Sequence, residues 1–106
     1  MIMNDTIIGL GTTAKVNIHI EPIGGLHMNV LGFNAKFITG LRSLIVKKEE
    51  MTKVDNDNYI ANVNTGNLGA GQLHLVIQAE IPDADVLGGV RHEVTPPINT
   101  KITLVK

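Results

Sequence analysis

The chain has 106 residues, enough for one domain with a single modest core. Nine basic and ten acidic residues leave a net charge of −1, which gives no electrostatic footprint for nucleic acid or an anionic membrane. Cysteine is absent, which excludes disulfides, thiolate nucleophiles and cysteine-ligated metals. The only aromatic residues are Phe33, Phe37 and Tyr59, few rings on which a sugar or base could stack.

In chain order, Met1–Gly11 lacks the basic segment and apolar core of a secretory leader, so export by that route is not expected. No apolar run approaches the roughly 18 residues of a membrane-spanning helix. Thr6–Leu10 is a short β-prone run. Ala14–Ile20 alternates, with Val16, Ile18 and Ile20 on one face and Lys15, Asn17 and His19 on the other, and predicts the first full strand. Glu21–Gly25 ends it, because proline lacks a ladder donor and Gly-Gly favours a turn. Leu26–Leu31 reads as a wide loop with one turn of strand.

Phe33, Ala35 and Phe37 then alternate with Asn34, Lys36 and Ile38 to give a second strand. Ser43–Lys48 is a third, with Leu44 and Val46 inward, and Lys47–Glu50 is a polar corner. Met51–Val54 and Tyr59–Val63 flank Asp55-Asn56-Asp57-Asn58, whose side chains bond nearby backbone and tolerate left-handed φ, so the two runs predict a hairpin. The glycine-rich bridge Thr65–Gly71 follows. It is expected to carry the chain from one sheet to the other, with Leu68 plugging the core.

In the sixth strand Leu73, Leu75, Ile77 and Ala79 face in, while Gln72, His74, Val76, Gln78 and Glu80 face out. Pro82–Gly89 is a long loop. The last strand, Val90–Val105, must bulge, kink or lie on an edge at Pro96-Pro97. The prediction is a single domain over residues 1–106. It is all-β, an antiparallel two-sheet Ig-like β-sandwich of about seven strands, with a closed barrel as the structural alternative.

Candidate chemistry is sparse. His19 and His74 on outward faces could share a metal as cross-strand neighbours, but no third ligand appears at strand spacing. Asp55–Asn58 begins like a calcium loop, yet Tyr59 and Ile60 stand where a ligand and a glycine are required. Gly66–Gly71 is followed by no Lys-Ser/Thr pair and no helix, so it is not a phosphate loop. Ser43 is the only serine and lies in no nucleophile motif. Neither an enzyme nor a cofactor is expected. Apolar residues on nominally wet faces, Ile38, Ile60 and Val76, together with Asp83, Asp85, Val86 and Leu87 of the long loop, form the candidate interaction surface.

The segment from Asn58 to Val94 carries a family resemblance. Its features are Tyr59-Ala61-Val63, the bridge Thr65-Gly66-Asn67-Leu68-Gly69-Ala70-Gly71, Ile81-Pro82-Asp83 and the return Gly89-Val90-Arg91-His92-Glu93-Val94. These, with Glu21–Met28, resemble small Ig-like proteins of tailed phages and prophages of gut anaerobes, of the crAss-like phage type. The resemblance implies a non-enzymatic virion structural protein: a capsid auxiliary or decoration protein, or a head-fibre or tail component. Its partners would be other virion proteins in a capsid or tail lattice, where avidity multiplies weak contacts. Self-association into a homo-oligomer also fits the near-neutral charge, whereas nucleic acid and membrane are not expected partners. The implied location is the virion, after synthesis in the host cytoplasm. The alternative is an Ig-like ligand-binding or adhesion module for glycan or protein that uses the Pro82–Gly89 loop.

Overall fold

A computed structural model describes residues 6–22 and 25–106. Ile23 and Gly24, in the middle of the predicted Glu21–Gly25 turn, lie outside the described residues, as do Met1–Asp5 of the predicted leaderless start. Alternating sequence becomes strand almost throughout. The strands are β1 (Thr6–Gly9), β2 (Thr13–His19), β3 (Gly32–Thr39), β4 (Arg42–Lys47), β5 (Thr52–Asp55), β6 (Asn58–Asn64), β7 (Gly71–Pro82), β8 (Val90–Val94) and β9 (Ile98–Val105). Short 3-10 turns occupy Met28–Val30, Lys48–Glu50 and Thr65–Asn67.

The strands form two sheets. The larger runs β1-β9-β7-β3-β4, with β8 also paired to β7, and the smaller runs β2-β6-β5. Neither closes into a barrel. Among the described residues nine strands replace the expected seven, for two reasons. Thr6–Gly9 is a true strand, and the long final strand is two, β8 and β9. One pair is also not antiparallel: β1 runs parallel to β9, with Thr6 opposite Ile102 and Gly9 opposite Val105. A parallel pair needs a long connection, and here nearly the whole chain intervenes.

The break between β8 and β9 follows from proline chemistry. Pro96 and Pro97 have no N–H to give the ladder. Thr95 ends the regular pairing by making two bonds to Ile77. Its N–H donates to the Ile77 carbonyl at 3.0 Å, and its hydroxyl accepts from the Ile77 N–H at 3.0 Å. β7 therefore pairs with β8 over its C-terminal half and with β9 over its N-terminal half. β9 then bulges at Asn99–Lys101, where Lys101 takes φ +62° and donates its N–H to Asn99 Oδ1.

The core lies between the sheets. Ala14, Val16 and Ile18 of β2 and Tyr59, Ala61 and Val63 of β6 meet Phe33, Ala35 and Phe37 of β3 and the inward residues Leu73, Leu75, Ile77, Ala79 and Ile81 of β7. The Phe33 and Tyr59 rings close the gap edge to face, 5.3 Å between centroids.

The Thr65–Gly71 bridge does cross from the small sheet to the large one. Leu68 is 3% exposed and belongs to the core. Asn64 Oδ1 accepts from the Gly66 N–H, the Leu68 N–H donates to the Thr65 carbonyl, and the Gly69 N–H donates to Thr39 Oγ1 at 2.8 Å. Gly71 enters β7 at φ +132°, a conformation that side chains disfavour.

Candidate functional site: a polar groove across the larger sheet

Strand register decides which outward side chains meet. Asn34 of β3 stands opposite Lys47 of β4 on one side and Gln78 of β7 on the other, and Gln78 stands opposite Val94 of β8. One row further along, Gly32 stands opposite Glu80, and Glu80 opposite His92. These two rows are the floor and walls of an open groove of about 670 Å³, which Lys48, Glu49 and Glu93 also line. Its width, from β4 to β8, is three strand spacings, or about 14 Å.

Two features of the floor are chemically distinctive. Asn34 Oδ1 is buried and has no hydrogen-bond partner. Glu80 lies close over β3, which Gly32 permits: a Cβ there would come within 3.1 Å of Glu80 Oε2. The walls differ in commitment. Lys48 Nζ donates to the Asn29 carbonyl at 2.8 Å and the Leu31 carbonyl at 2.6 Å, and sits 5.4 Å from the Phe33 ring centre. Partial burial holds its pKa below the ordinary lysine value. The polar corner thus contributes a structural clamp at Lys48, while the neighbouring Lys47 stays exposed.

The residues singled out in the sequence do not converge. Ile60 lies on the outer face of the small sheet, opposite Asn17 and Thr52, whereas Ile38 and Val76 lie on the outer face of the large one. They form no common stripe. Val76 is only 8% exposed, since β7 is the central strand and neighbours flank it on both sides. Ile45 of β4, 50% exposed and level with Val76 across Lys36, was not singled out.

The Asp83–Gly89 loop is closed on itself. Asp83 Oδ2 accepts from Arg91 Nη1 at 2.8 Å, Asp83 Oδ1 accepts from the Asp85 N–H, and the Asp83 N–H donates to the Gly89 carbonyl. Arg91 Nε lies 3.0 Å from Glu93 Oε1, an ion pair without hydrogen-bond alignment. Leu87 projects fully into solvent, Asp85 is exposed, and Val86 is partly buried.

The histidine pair is corrected by topology. His19 is on the outer face of the small sheet and His74 on that of the large one, so the core separates them and they cannot share a metal. No group of three His, Asp or Glu suited to a metal occurs among the described residues. His19 instead bonds Glu21 at 3.0 Å and Asn58 at 3.1 Å, and its pKa is raised, chiefly by the Glu21 bond. In the Asp55–Asn58 turn, Asp55 accepts from the Asp57 N–H and from Asn58 Nδ2, and the Asn58 bond foremost lowers its pKa. Asp57 accepts from His27 Nδ1 at 2.9 Å and from the Met28 N–H at 3.2 Å, and its pKa is lowered, the His27 bond foremost. These carboxylates are engaged within the protein, in keeping with a turn.

Comparison with known proteins gave no match to any family model, curated protein or solved structure.

Proposed function

We propose that this chain is a non-enzymatic Ig-like domain of a virion, docking on a capsid or tail lattice. Strand order supports the Ig-like part. The three-strand sheet β2-β6-β5 faces a six-strand sheet, in which β9-β7-β3 would be the three-strand sheet of an Ig sandwich with β1 and β4 added at its two edges and β8 also paired to β7.

The virion part rests on the family resemblance. The residues from Asn58 to Val94, which carry most of the phage-protein resemblance, form β6, the crossing bridge, β7 and β8. The loop-borne adhesion reading has less support, because Asp83 spends its carboxylate on Arg91 and on the Asp85 N–H.

The test is reconstitution. Purified chain is added to particles from a deletion strain and the mixture is sedimented. The proposal expects saturable co-sedimentation with the particles, and a chain that stays in the supernatant at saturating particle concentration overturns it.

A further inference from the structure

We propose that the outer edge of β2 takes up an extended, acidic segment of a partner polypeptide as an added strand. The inference rests on the reading that this domain docks on proteins, and it adds the place and chemistry of the docking.

The backbone of β2 sets the chemistry. β2 ends the smaller sheet, with β6 on one side and, among the described residues, no strand on the other. The Ile20 N–H donates to the Asp57 carbonyl at 3.2 Å, on the β6 side. Antiparallel pairing alternates, so Ala14, Val16 and Ile18 exchange bonds with β6, while Lys15, Asn17 and His19 point three N–H and three C=O groups outward. A row of alternating donors and acceptors about 13 Å long is matched by a polypeptide strand rather than by a sugar or a lone ion. Sheets commonly blunt such edges with shortness, bulges or proline. β1 and β5 have four residues each, and β5 is bulged at Lys53–Asp55. β2 has seven residues, no proline and unbroken register with β6.

A cleft gives the added strand an apolar seat. It holds about 390 Å³ between this edge and the bulge of β9, where Leu73 faces Ile102 but His74 faces Asn99. Val16, Leu75 and Ile102 of the core reach its wall, and Ile98 there is 44% exposed. Side chains alternate along a strand, so one that pairs with β2 turns every second residue toward this cleft.

Charge selects the segment. Lys15 is the one cation of the cleft lining, which contains no acid, and Lys15 belongs to no ion pair among the described residues. Its cross-strand neighbour on β6 is the neutral Asn62. A glutamate or aspartate opposite Lys15 in the added strand would pair with it. β2 itself carries no acid, so a second copy of β2 cannot supply that partner.

The experiment is amide-resolved NMR of the full chain: hydrogen exchange alone, then titration with a capped seven-residue peptide. The peptide alternates threonine and valine, with glutamate in place of the third threonine. In the free chain the Lys15, Asn17 and His19 amides should exchange rapidly. The peptide is expected to shift their resonances and that of Ile98, with a dissociation constant of about 1 mM or tighter. N-methylation of the glutamate and the threonine before it removes N–H groups that face β2 and should abolish binding, whereas N-methylation of two valines should preserve it. Lysine in place of the glutamate should weaken binding by about twofold to fivefold, and Lys15→Glu should reverse that preference. The same spectra report whether the variant is folded. Edge amides already protected in the free chain, whether by its own residues or by a second copy, would overturn the inference. So would equal binding of the two N-methylated peptides, or shifts confined to other strands. The titration needs no particle: edge binding by a chain that fails to co-sediment rejects the virion reading alone, and co-sedimentation without edge binding rejects this inference alone.

Discussion

The Thr65 hydroxyl donates to the Thr12 carbonyl at 2.6 Å and accepts from the Gly11 N–H at 2.9 Å. One buried side chain at the start of the sheet-to-sheet bridge therefore satisfies two backbone groups of the β1–β2 turn, more than 50 residues earlier in sequence. Thr65→Val keeps the shape and removes both bonds. Gly11 and Thr12 are exposed, so their freed backbone groups can turn to water and each lost bond costs about 0.5–1.5 kcal/mol; chemical denaturation should show a loss of about 1–3 kcal/mol. Thr65→Ser, which retains the hydroxyl, should lose less than Thr65→Val.

Leu68 tests the bridge itself. The side chain is 3% exposed and packs in the core. Leu68→Ala should destabilise by about 2–5 kcal/mol, measured by urea unfolding. A value near zero would mean that the bridge lies on the surface.

How much of this was legible in the sequence depends on range. Period-two alternation located β2, β3, β6 and β7, because one buried face imposes it on each strand. The Asp55–Asn58 turn and the Pro96-Pro97 break were legible because their backbone chemistry is local. Leu68 was legible as the one large apolar residue in a glycine-rich crossing. Register was not. Nothing local tells Asn34 that Lys47 and Gln78 will flank it, so the groove was invisible and its residues read as an ordinary wet face. The same gap separated His19 from His74 and set Ile60 apart from Ile38. Val76 alternates as an outward residue, and only the central position of β7 accounts for its burial.

Lys101 holds a left-handed conformation, φ +62°, at the β9 bulge. That conformation costs a residue with a Cβ about 1–2 kcal/mol, while glycine loses about 0.5–1 kcal/mol of conformational freedom on folding. Lys101→Gly should therefore be neutral or stabilising by up to about 1 kcal/mol, and Lys101→Val should be destabilising. Thermal unfolding of the two variants checks the order, and a Lys101→Gly that melts below Lys101→Val would refute the bulge geometry.

Two ionisable groups at one end of the sandwich give the stability a pH signature. Asp57 is lowered from 3.8, foremost by His27, so its contribution is present above pH 3.8 and is lost as pH falls through the lower folded value. His19 is raised from 6.5, foremost by Glu21, so its contribution is full below pH 6.5 and is lost as pH rises through the higher folded value. Melting temperatures across the pH range should show Asp57→Asn flattening the acid limb and His19→Gln flattening the limb above pH 6.5. Profiles parallel to the unsubstituted chain would contradict both assignments.

The central claim is that the domain is part of a particle. Its most direct test is quantitative mass spectrometry of gradient-purified particles from a strain that carries the gene. The account predicts the chain in the particle fraction, at a fixed ratio to the major shell or tail protein across independent preparations. A chain confined to the soluble cell fraction, or one whose ratio falls with each round of purification, would contradict it.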